Sequence, residues 1–221
     1  MSPVRTALAV LALLLVPTGC AGAAAPELDL ADFVPTAANP DPSTGLDGVE
    51  VSRQVGGLHV GPDQRVAYTT VPPVGGPHDQ AWAACDGVVY PQPLRTENLV
   101  HSLEHGAVWI AYDPARVDAD GVDRLAARVE GQPYTVMSPY PGLPAPVSVQ
   151  SWGHRLALDD PADPRIDAFV AALRSNPNTH PEPGASCDEI GRGYFDRTSP
   201  PPFAPAPPRS EVDGETVVAE S

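Results

Sequence analysis

The sequence predicts an α+β domain in which a small mixed sheet is covered by about three helices, in the order β-α-β-α-β-β-α. Three observations predict it. Short runs rich in β-branched and aromatic residues ("RVAYTTV", "AVWIAY", "YTVMSPY") alternate with stretches whose apolar residues recur three or four apart. Clusters of proline and glycine separate these segments. The periodic segments all fall between residues 49 and 192, so one globular domain is expected there. The same order is shared by thioredoxin-like folds, which stand as an alternative arrangement, and neither fold would by itself give a function.

The elements follow in order. "RVAYTTV" (65–71) reads as a strand stopped by "PPVGGP". "TENLVHSLEH" (96–105) reads as a short helix, with Thr96 as N-cap, Leu99 and Leu103 on one face, and Gly106 as its stop. "AVWIAY" (107–112) is a buried strand. "VDADGVDRLAARVE" is a second helix, with Val122, Leu125, Ala126 and Val129 on one side. "YTVMSPY" and "VSVQSWGHRLAL" read as two strands joined through "PGLPAP", and "DPRIDAFVAALRS" is a third helix entered from the acidic "DDPADP".

The two ends have a different character. Residues 1–20 carry one charge, Arg5, an apolar run, and the closing Thr18-Gly19-Cys20. This is a secretory signal with a lipobox-like end, so Cys20 is the expected lipidated residue, with plain secretion as the alternative. Pro17 stands where a lipobox usually has leucine. Residues 21–48 are expected to be a flexible acidic, proline-rich tether, and residues 193–221 a disordered proline-rich and acidic tail. With Cys20 lipidated, Cys85 and Cys187 remain as an even pair in an oxidising compartment, and a structural disulfide between them is expected. The expected location is the extracytoplasmic face of the cell membrane.

The chain carries 28 acidic residues against 13 basic ones, all of them arginine, for a formal charge of -15. Such a balance disfavours nucleic acid and anionic lipid. The lack of lysine removes P-loop and Schiff-base chemistry. What remains is the histidines. His101 and His105 lie one turn apart on one helical face, a spacing that lets two imidazoles meet one metal ion. His78, in a loop after Gly-Gly-Pro, is the expected third ligand, with His59 or Met137 as the fourth. Met137 is otherwise a core residue, and as a ligand it would favour copper. His154 and His180 are read as surface residues.

His101-Ser102-Leu103-Glu104-His105 also fits H-x-x-E-H, in which two histidines hold zinc and the glutamate is a general base. The third ligand of such a peptidase is a downstream glutamate on a helix. Glu182 is the one at a comparable distance, and flanking prolines keep it off a helix. Glu104 is therefore expected to orient an imidazole or to pair with an arginine.

The segments "YTTVPPVGGPHDQAWAACDGVVY", "LVHSLEHGAVWIAYDP", "SPYPGLPAPV" and "PEPGASC" resemble a bacterial family, domain of unknown function 3105, over about 59–187. The resemblance carries onto His59, Pro72, Pro73, Gly76, His78, Trp82, Tyr90, His101, Glu104, His105, Gly106 and Tyr112. It implies a secreted or membrane-anchored protein and supplies no activity. The expectation is an extracytoplasmic, lipid-anchored protein that binds copper or zinc through His78, His101 and His105, in a binding or delivery role rather than as an enzyme. A metal-dependent hydrolase with Glu104 as base, and a non-metal structural or interaction module meeting an envelope protein, are the alternatives.

Overall fold

The structure is a computed structural model and describes residues 28–220. The signal segment and Cys20 lie outside the described residues. Among the described residues, no helix is long and apolar enough to cross a membrane.

The strands are β1 (Val49–Val51), β2 (His59–Val60), β3 (Arg65–Ala67), β4 (His78–Asp79), β5 (Asp86–Val89), β6 (Val108–Tyr112), β7 (Thr135–Pro139), β8 (Val147–Ser151), β9 (His154–Leu158) and β10 (Val217–Ala219). The helices are α1 (Thr96–Glu104), α2 (Ala119–Ala126) and α3 (Arg165–Leu173). Six strands form one mixed sheet in the order β1-β9-β8-β6-β7-β5. The parallel pairs are β6/β7 and β7/β5, and the others run antiparallel.

Strand β6 lies inside the sheet and is buried along its whole length, which its unbroken apolar run requires. Its side chains alternate. Val108, Ile110 and Tyr112 join a core formed with Leu125, Val129, Ile166 and Phe169, on the side of α2 and α3. Trp109 and Ala111 face the other core, with Leu99, Val100 and Leu103 of α1. The α+β class with three helices on a small mixed sheet therefore holds. The strand expected over 65–71 covers only Arg65–Ala67 and pairs with β10 outside the main sheet, so the strand that precedes α1 in the main sheet is β5 instead.

Three further differences have physical reasons. The run 147–158 is a hairpin rather than one strand, because Gly153 takes φ +71° and turns the chain between Ser151 and His154. The described part of the expected tether packs onto the domain. Two 3-10 turns, Leu30–Phe33 and Pro42–Gly45, set Phe33 and Leu46 into the α3 core, each capped by an aspartate side chain. The tail, expected to be disordered, also folds back. Phe195 is fully buried edge-on to Tyr90, and β10 pairs with β3. Proline removes donors but not acceptors. The carbonyls of Pro201 and Ala204 accept from the Arg95 amide and the Arg65 guanidinium, so an extended proline-rich strand can still be held.

Candidate metal centre

Helix α1 is buried on every face although two-thirds of it is polar. A helix of that kind needs partners for each polar side chain. The segment from β4 to Cys85 supplies several of them. The Asn98 amide donates to the Ala81 carbonyl at 2.7 Å, the Ser102 hydroxyl donates to Ala83 at 2.7 Å, and the Ala83 amide donates to Asn98 at 3.0 Å. Glu97 receives the Arg65 guanidinium and the Val66 amide. The helix ends at Gly106, φ +93°, where the Gly106 amide bonds the Leu103 carbonyl and the Ala107 amide bonds Ser102. That end presents His101, Glu104 and His105 together.

Each key imidazole is anchored through the same nitrogen. Nδ1 of His78 lies 2.8 Å from the Gly76 carbonyl, Nδ1 of His101 2.7 Å from Asp79, and Nδ1 of His105 2.7 Å from Ser186. A carbonyl only accepts, so each Nδ1 carries a proton, and in the neutral ring Nε2 is the nitrogen with a lone pair to offer a metal. This is how ligating histidines are usually oriented. His59 sits directly across from His78 in the β2/β4 pair. The rings of His59, His78 and His101 lie 4.7–5.1 Å apart between centroids, and His105 is 4.6 Å from His101.

Two groups of ligand atoms result, each with its members within 4.8 Å of one another: His59, His78, His101 and Glu104, and His101, His105 and Glu182. In the first, Oε1 of Glu104 accepts from the Gly57 amide at 2.6 Å. Oε2 stands 2.8 Å from Nε2 of His78, both side chains being fully buried. Neither of those two atoms has a hydrogen-bond partner. Burial drives the His101 pKa down to about 3, with His78 and His105 adding to the effect, so the ring is neutral. His105 is lowered too, by burial first. Burial pushes Glu104 up, but the adjoining His78 ring and the hydrogen bond from the Gly57 amide outweigh it and hold the carboxyl below its ordinary value.

With the geometry in place, comparison with known proteins adds one finding. The model of a family described as proteins of unknown function, DUF3105, matches residues 59–189. The chain belongs to the DUF3105 family. No curated protein and no solved structure matches it. The matched segment of this DUF3105 protein contains all four clustered histidines, Glu104, Glu182 and both bridged cysteines.

The expected site residues divide as follows. His78 and His101 converge and His59 joins them. His105 shares His101 but groups with Glu182. Met137 belongs elsewhere: β7 turns it to the α2/α3 core, fully buried, while its neighbour Val136 faces α1. Glu104, expected to support a ligand, stands among the ligand atoms themselves. Cys85 and Cys187 are bonded, 102 residues apart. His154 and His180, expected at the surface, are buried. His154 bonds the Trp152 carbonyl and Asp41, and His180 bonds the Glu104 carbonyl beneath Gly106. Glu182, which its prolines keep from the helical third-ligand position of the peptidase motif, nevertheless brings its carboxylate to 3.4 Å of the His105 ring from an exposed loop.

Proposed function

We propose that this protein binds a divalent transition metal ion, zinc or copper, at the extracytoplasmic face of the membrane, tethered by lipid on Cys20, in a binding or delivery role. One observation carries the metal reading: the facing pair of His78 Nε2 and Glu104 Oε2, buried 2.8 Å apart without a hydrogen bond. Two lone pairs at that distance repel unless something positive lies between them. A proton would satisfy only this pair. A metal ion would satisfy it and also engage the bare nitrogens of His101 and His59. Bonds of about 2.0–2.1 Å place neighbouring ligands roughly 3 Å apart; His78 and Glu104 stand at 2.8 Å, and the four ligand atoms lie within 4.8 Å of one another.

The donor set supports the divalent state. Three imidazoles and a carboxylate suit zinc and copper(II), whereas Met137, the soft ligand that would favour cuprous ion, faces the other core. A hydrolase would require Glu104 to aim a free oxygen at bound water. Both of its oxygens are engaged or facing His78, which favours binding over catalysis. A scaffold would require histidines that do not converge, and these converge. The membrane location rests on Thr18-Gly19-Cys20 and accords with the disulfide.

The test is calorimetric titration of the full chain, purified without a histidine tag and stripped of metal, with Zn²⁺ and Cu²⁺. One ion per chain is expected, with His78→Ala and His101→Ala each weakening binding at least about 100-fold and His154→Ala leaving it nearly unchanged. Absence of binding, or equal affinity in His78→Ala, would remove the reading.

A further inference from the structure

Resting on the metal reading above, we propose that His101, His105 and Glu182 form a second cation position, a loading site. From it a divalent ion passes to His59, His78 and Glu104 while His101 keeps hold of it. The two ligand groups meet at one residue, His101. Its Nδ1 is committed to the Asp79 carbonyl, so only Nε2 can coordinate. A single lone pair cannot bind two ions, and the two positions are therefore alternatives for one ion. Transfer between them is ligand exchange: the bonds to His105 and Glu182 break as those to His78 and Glu104 form, with no change in electrons.

The surroundings set the direction. Glu182 is the exposed ligand of its group, with 45% of its side chain open to solvent, and it is charged. It stands between Pro181 and Pro183, which fix the loop. The loop is tied down by the Glu182 amide on the Glu104 carbonyl, the Tyr134 hydroxyl on Ala185, and the disulfide at Cys187. The other exposed ligand, His59, is neutral as a ligand and opens on a mainly apolar, uncharged hollow lined by Leu58, Val60, Gln64, Pro77, Val218 and Ala219. A hydrated cation is drawn to the carboxylate rather than to that apolar side. Both anchored imidazoles of the loading site lie against one indole. Trp82 is 4.7 Å from the His105 ring and 5.5 Å from His101.

Glu182→Gln and His105→Ala distinguish a loading site from a resting one by kinetics. Cu²⁺ uptake by the full chain is followed by stopped-flow quenching of tryptophan fluorescence, and loss by transfer to a chelator. If the outer position is only passed through, weakening it leaves the end states unchanged. Association and dissociation then slow by the same factor, expected to be about tenfold or more on the scale of lost metal contacts, while Kd stays within about twofold. A raised Kd with faster dissociation would make Glu182 and His105 ligands of the resting ion and overturn the proposal. So would unchanged rates, or two ions bound per chain. Wild-type protein that binds no Cu²⁺ or Zn²⁺ would instead bring down the metal reading itself.

Discussion

Replacing Glu104 by glutamine separates a metal ligand from a buried ion pair, because the two roles move stability in opposite directions. The carboxamide keeps the shape of the side chain. Its oxygen still accepts from the Gly57 amide, now at 2.6 Å, and its NH₂ faces His78 Nε2 across the 2.8 Å that separates two acceptors in the native protein. One facing pair of lone pairs becomes one hydrogen bond, which contributes about 0.5–1.5 kcal/mol. The metal-free variant should therefore melt at or above the wild type, by about 1–6 °C at 2–4 °C per kcal/mol. With metal the order reverses. Zn²⁺ at a hundred times Kd stabilises the wild type by about 2.7 kcal/mol, or roughly 5–11 °C. The variant, having lost its only anionic ligand in that group, should show almost none of this. Scanning calorimetry of both proteins, stripped and with Zn²⁺, gives all four numbers. A stripped variant that loses about 3–5 kcal/mol, the cost of breaking a buried charge pair, together with an unchanged Zn²⁺ shift, would refute the reasoning and leave Glu104 a structural counter-ion.

The remaining predictions concern stability, protonation and location. Replacing Cys85 and Cys187 by serine should cost about 4–5 kcal/mol for a closed loop of this length, read as an unfolding midpoint, and should slow Cu²⁺ uptake because Ser186 and Glu182 lie in the stapled loop; equal midpoints would show that the bridge constrains nothing. In the stripped protein the His101 pKa is about 3 against 6.5 when unfolded. The unfolded chain thus binds the extra proton between those values, so this contribution is whole above pH 6.5 and declines as pH falls towards 3, by on the order of 4–5 kcal/mol. Urea unfolding from pH 7.5 to 4 should show that slope, and His101→Asn should flatten it; an identical slope in the variant would assign it to other groups. Gly106→Ala should cost at least about 1–2 kcal/mol, since φ is +93° and the new Cβ would lie 2.5 Å from His180 Nε2, and an unchanged melting temperature would contradict it. Cys20→Ala should release the protein from the membrane fraction, and equal retention would end the lipid-anchor reading.

Much of the fold was legible because its central elements obey one period each. Leu99 and Leu103 four apart, and Val122, Leu125 and Val129 on one face, are helical stripes, and β6 is an unbroken apolar run. The misses fall where local chemistry imitates something else. "CDGVVY", where an Asp-Gly pair interrupts a short apolar run, receives no element from the sequence, yet Asp86–Val89 is β5. Gly87 there takes φ +85° because a Cβ would lie 2.5 Å from the Gln132 amide nitrogen. The tail composition matches disorder, but composition averages over positions. Phe195 and Val217, with a few carbonyls facing Arg65 and Arg95, are enough to hold it against the domain.

The site was legible to the extent that helical spacing could carry it. The i, i+4 histidines were visible, and the third and fourth came from loops whose return to α1 no local pattern encodes. His59 meets His78 only because two-residue strands pair in parallel across a connection of seventeen residues, 61–77. Glu182 shows most plainly where the reasoning stopped. Prolines on both sides exclude it only from the helical third-ligand position of an H-x-x-E-H peptidase, and nothing in the local pattern brings it to His105. Proline also limits the freedom of a loop. A carboxylate between two prolines, with its amide on the Glu104 carbonyl and a disulfide five residues on, is held without a helix. Because it remains exposed, it can meet an ion that the buried His78 and Glu104 cannot reach first.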